Sequence, residues 1–169
     1  MTNTITMTAG QAAERIDALD LEPIVYKLMH PHPGEQAMTL ADADRRVEAY
    51  RRHLKLCAWY PDQPVVPSQL ADEAWHAHIL DTAKYALDSE AVFGRFMHHF
   101  PYFGLRGDDD IAAWRAAAGQ TRDLHAVHFG TVAAAAADCE DGQLCVPASV
   151  ECDKRTASVA EIRPRPDRS

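Results

Sequence analysis

Apolar positions along the chain recur mostly at helical spacing, and the clearest run lies between Thr39 and Tyr60. At about 100° per residue, Leu40, Ala43, Val47, Tyr50, Leu54, Cys57 and Ala58 share one face. Arg45, Arg51, Arg52 and Lys55 fall largely opposite. They read as a solvated face, and the competing use for them is an anion or protein docking patch. Thr39 is placed to cap the first turn, with Asp42 as a weak capping-box partner and Asp44 near the positive helix end. Pro61 stops the helix.

Pro61, Pro64 and Pro67 stiffen the next stretch into an extended crossing. Ser68 then reads as the N-cap of a helix from Gln69 to about Leu80, and Asp81-Thr82 recaps a further one from Ala83 to about Phe93. Gly94 marks an end or a kink, Arg95 to Phe100 follow, and Pro101 is the stop. A loop with Gly104 and Gly107 leads to Asp108, Asp109 and Asp110, three carboxylates suited to a helix start. Helical pattern resumes over Ile111 to Ala118 and Thr121 to Ala137, with Gly119 between. Composition changes near Asp138: the remainder has no aromatic residue and ends in Arg163-Pro-Arg-Pro-Asp-Arg168. The expectation is an all-α, compact multi-helix domain over 8–137 and a poorly ordered, cysteine-containing tail over 138–169.

Composition narrows the function classes. A chain of 169 residues suits one domain, and a net charge of −8 argues against a broad nucleic-acid or anionic-membrane surface. No apolar run approaches the ~18 residues that a membrane span needs. Met1 to Gly10 lacks a basic residue followed by an apolar stretch, so a cytoplasmic protein is expected. Four cysteines are too few and too uneven for a secreted disulfide scaffold. No Gly-rich phosphate loop, nucleophile elbow or HExxH sequence occurs.

The densest chemistry lies in Asp72-Glu-Ala-Trp-His-Ala-His-Ile-Leu-Asp81. Asp72 and His76 are four apart, stacked on one face of a helix, and form a two-ligand clip for zinc, iron or copper. His78 lies about 200° round from His76, so both cannot serve one ion on an unbroken helix. Apolar neighbours surround this helix, so each polar group on it needs a partner. The bland reading is that Asp72 merely orients a buried His76. The second cluster is His98-His99 within Phe96 to Phe103; as helix neighbours about 100° apart, at most one of them faces the first cluster. Asp72, His76 and one of His98 or His99 would make two imidazoles and a carboxylate, with positions open to water or substrate. Trp75, His78, Tyr85 and Tyr102 are candidates to line such a pocket. Cys139, Cys145 and Cys152 match no zinc-finger or CxxC spacing, and Cys57 reads as a small core residue.

The stretches Asp72 to Tyr85 and Phe93 to Gly104 resemble the glycine-rich domain-containing protein-like family, in its bacterial members, over about residues 16 to 107. The resemblance implies motif roles for Asp72, Trp75, His76, Tyr85, His98 and His99, with His78 the more replaceable histidine. It implies no particular reaction. The chain departs from the family in lacking a glycine-rich tail, its eight glycines being spread throughout.

The reading these residues favour is a metal- or small-ligand-binding helical protein, with a divalent transition metal such as zinc or iron. If an enzyme, it would be a metal-dependent hydrolase or oxidase. The alternatives are a non-catalytic module for an unidentified protein partner, or a folded carrier of a functional cysteine tail. Neither nucleic acid nor membrane is expected as a partner.

Overall fold

The structure is a computed structural model describing residues 8–34, 36–130, 144–145 and 165–168. Its helices are α1 (Ala9–Asp17), α2 (Glu22–Met29), α3 (Leu40–Trp59), α4 (Gln69–Leu80), α5 (Thr82–Phe93) and α6 (Asp108–Phe129). The short strands β1 (His99–Phe100) and β2 (Leu144–Cys145) pair antiparallel, His99 opposite Cys145. The fold is a compact all-α domain.

Side chains set most helix starts by taking up backbone N–H groups that have no intrahelical acceptor. The Thr8 and Thr39 hydroxyls accept from Gln11 and Asp42. Ser68 and Asp81 do the same for α4 and α5, accepting from Ala71 and Lys84. α6 has no capping side chain; Asp108, Asp109 and Asp110 lie in its first turn, where the dipole favours negative charge.

α3 and α4 form the most extensive helix pair, with α1 and α2 against α3 and α5 beside α4. Ile16, Leu21, Ile24, Tyr50 and Trp75, each at most 1% exposed, anchor the main core. The basic residues of α3 are paired. Arg51 donates to the carbonyls of Ile16 and Leu19, closing the end of α1. Lys55 meets Asp17 at 2.7 Å, Arg52 meets Glu48 at 2.8 Å, and Arg45 pairs with Asp42.

α6 covers a smaller cluster of Val66, Ala117 and Ala118 with Phe103 and Trp114. Gly104 is required there: its φ is +89°, and a Cβ would lie 3.2 Å from the Trp114 ring. The Thr121 hydroxyl accepts from Val66 N at 3.0 Å and donates to Ala117 O at 2.9 Å, tying α6 to the proline crossing.

Two local expectations are corrected. The segments read as separate helices around Gly119 are one helix, because an interior glycine costs only about 1 kcal/mol and the flanking contacts offset it. α6 ends at Gly130 (φ +79°), and residues 131–137 lie outside the described residues. Arg95 to Phe100 do not continue a helix. Gly94, left-handed at φ +66°, closes α5, and the chain then runs extended into β1. Among the described residues no helix is long and apolar enough to cross a membrane.

Candidate metal centre

α4 carries chemistry on two faces. On one, Asp72 and His76 stand one turn apart, as the i,i+4 spacing dictates. Gly94 reverses the chain after α5, and β1 then brings His99 over the same face. One ligand atom from each of Asp72, His76 and His99 falls within a set whose members are all within 4.8 Å of one another. The two imidazole Nε2 atoms are 3.1 Å apart. His99 Nε2 lies 3.3 Å from Asp72 Oδ1, and His76 Nε2 lies 3.6 Å from Asp72 Oδ2. Asp72 and His99 are screened, at 16% and 11% side-chain exposure, whereas His76 is 47% exposed and opens the group to water.

Hydrogen bonding alone serves this arrangement poorly. An imidazole Nε2 offers a single N–H or a single lone pair, so His99 Nε2 can satisfy both His76 and Asp72 only through one shared, weakened bond. A cation where the three meet would serve each side chain separately. Ligand bonds of about 2.0–2.2 Å put neighbouring ligand atoms roughly 3 Å apart, close to the spacing seen here.

A buried relay holds His99 in place. Trp75 stacks edge-on against the His99 ring at 4.5 Å. Its Nε1 donates to the Tyr85 hydroxyl at 2.9 Å, and that hydroxyl donates to the carbonyl of Met97. α4, α5 and the segment that leads into β1 are thus fastened at one point.

The opposite face of α4 turns His78 into the core, where it is 1% exposed. Tyr50 OH lies 3.1 Å from its Nδ1, and Asp88 Oδ2 lies 3.0 Å from its Nε2, a short approach outside good hydrogen-bond alignment. The same carboxylate oxygen meets Lys84 Nζ at 2.6 Å. Burial holds the His78 imidazole below its ordinary pKa, against the opposing pull of Asp88. Burial pushes the Asp88 carboxyl up, but the close His78 ring and the bond from Lys84 outweigh it and leave the group below its ordinary range.

The other candidates separate clearly. His98 lies away from the cluster: its ring packs on Phe96 at 4.9 Å, and its buried Nε2 has no hydrogen-bond partner among the described residues. Strand alternation, instead of helical rotation, is what divides it from His99. Tyr102 is 58% exposed and packs edge-on against Phe100. Tyr85 and Trp75 support the site from within the core. His78, the more replaceable histidine by resemblance, is packed into the interior. Cys145 lies on β2 opposite His99, and Cys139 and Cys152 fall outside the described residues. Residue patterns missed the Tyr50–His78–Asp88–Lys84 network. The i,i+4 pair of Lys84 and Asp88 beside buried Tyr85 was the available signal.

A family model described as UCP032817-like matches residues 11–115, more than half of the chain. The chain belongs to the UCP032817-like family. This overturns the resemblance to glycine-rich domain proteins. The Trp-His-x-His helix behind that resemblance is largely a packing pattern, Trp75 and His78 inward and His76 outward, and it did not identify the lineage. The UCP032817-like region runs from α1 into α6, so it contains both the His/Asp cluster and the buried network. No curated protein and no solved structure matches the chain.

Proposed function

We propose that the chain is a metal-binding helical protein whose centre is Asp72, His76 and His99. The observation that carries this reading is the convergence of the three ligand atoms within 4.8 Å. Two imidazoles and one carboxylate suit zinc or iron, and they leave coordination positions for water or substrate. The exposed edge of His76 gives those positions access to solvent. Bound there, the ion would polarise a substrate or lower the pKa of water to about 7, the chemistry of a metal-dependent hydrolase or oxidase. The same exposure weighs against a closed polar lock, the form expected of a non-catalytic module.

Elemental mass spectrometry of the full chain, purified without an affinity tag, tests the reading. The wild type is expected to carry near-stoichiometric zinc or iron, and His76→Ala to lose it while keeping its helical circular dichroism. A wild type that neither retains metal nor takes up zinc or iron on titration would sink the proposal.

A further inference from the structure

Away from the His/Asp cluster, three carboxylates meet where α1 turns into α2 and α3 begins: Asp20, which is exposed, and Glu22 and Asp44, which are half-buried. The segment Arg165-Pro-Asp-Arg168 is seated on them. Arg168 spends its whole fork on two acids at once. Its Nε and Nη2 meet the Glu22 oxygens at 2.7 and 2.9 Å, and its Nη1 and Nη2 meet the Asp44 oxygens at 3.0 and 2.8 Å. Arg165 forks onto Asp20, with Nη1 at 2.8 Å from Oδ1 and Nη2 on Oδ2. Pro166 fixes φ between the two arginines, so presenting both costs little chain entropy.

We propose that Asp20, Glu22 and Asp44 form a docking surface for segments of the form Arg-x-x-Arg, and that residues 165–168 occupy it as a reversible intramolecular latch. The double fork selects arginine over lysine, because an ammonium is a point charge with no planar pair of donors. Reversibility follows from the kind of contact the described residues make, which is ion pairing at the surface. The two arginines keep 56% and 43% of their side-chain surface, and such solvated pairs are individually weak and screened by salt. Covalent linkage makes the pairing intramolecular, which favours occupancy by a weakly held segment. Once the segment leaves, carboxylates that shared one guanidinium face one another on a chain of net charge −8. That surface then attracts a replacement, a basic segment with two arginines at the same spacing.

The test uses the full chain and a fluorescein-labelled peptide of residues 161–169 at low salt. Wild type is expected to bind the peptide weakly, because its own segment competes. The double variant R165E/R168E, altered only at exposed positions, is expected to bind at least about 10-fold more tightly. Adding D44N to that variant should weaken binding again, and about 0.5 M salt should abolish it. Equal affinity for wild type and R165E/R168E would overturn the latch. No binding to R165E/R168E would overturn the docking surface itself. Light scattering closes the remaining route: a wild-type dimer that R168E dissociates would place the segment on a second copy and overturn the intramolecular assignment.

Discussion

His98 and His99 are adjacent yet face different environments, and the cause is backbone type. In an extended segment successive side chains leave on opposite sides, so His99 can join Asp72 and His76 only if His98 turns away toward Phe96. Replacing His99 by alanine should therefore abolish binding of cobalt(II), used as a spectroscopic stand-in for zinc or iron. His98→Leu should leave the cobalt affinity within about twofold. It should also leave stability unchanged or raise it by up to about 1 kcal/mol, because the buried Nε2 it removes has no partner among the described residues. Titration followed by visible absorption, with denaturant unfolding of each variant, checks both halves. Loss of cobalt binding in His98→Leu with His99→Ala unaffected would reverse the assignment.

At the level of elements, α4 was legible at both ends. Ser68 after a proline-rich crossing and Asp81 after Leu80 are local signals, and local signals survive folding. β1 was not legible, since an apolar run as short as Phe96 to Phe100 carries no period that separates strand from helix. Gly94 and the pairing with β2, more than forty residues away, decided it. The Asp72–His76 half of the centre could be read from i,i+4 spacing, whereas the choice between the two following histidines depended on that undecided strand. Tyr85 joins the elements: it accepts from Trp75 on α4 and donates to Met97 just before β1. Tyr85→Phe should cost about 2 kcal/mol in denaturant unfolding, as two buried polar groups lose their partner. It should also weaken cobalt binding by roughly 10-fold, because the strand presenting His99 is no longer fastened. An equal loss of stability from Val92→Ala with undiminished cobalt affinity would distinguish the fastening from general loosening of the core.

For the molecule as a whole, the interior is where sequence pattern said least. Tyr50, His78 and Asp88 come from three helices, and no local period encodes their meeting. Burial favours a neutral His78, whereas the neighbouring His78 ring and Lys84 favour an ionised Asp88 against the pull of burial, and stability therefore depends on pH in two separate windows. His78 is held below its ordinary 6.5, so the unfolded chain takes up its proton first. That contribution is complete above pH 6.5 and is lost as pH falls below it. Asp88 is held below its ordinary 3.8, so its contribution is complete above pH 3.8 and is lost as pH falls toward its folded value. Each group limits its own slope to about 1.4 kcal/mol per pH unit. Urea unfolding in the presence of a chelator, which removes any metal-linked protons, should therefore show a shallow decline beginning near pH 6.5 and a second one below 3.8. His78→Gln should make the first decline shallower, the remainder coming from His125, which burial also holds below its ordinary value. Asp88→Asn should make the second shallower, Asp20, Asp42 and Asp110 also being held below their ordinary value, at a cost of about 2–3 kcal/mol at neutral pH, because Lys84 loses the carboxylate 2.6 Å away while staying 8% exposed. A first decline that persists unchanged in His78→Gln would show that another histidine governs it, and the buried network would then have no part in the acid sensitivity of the fold.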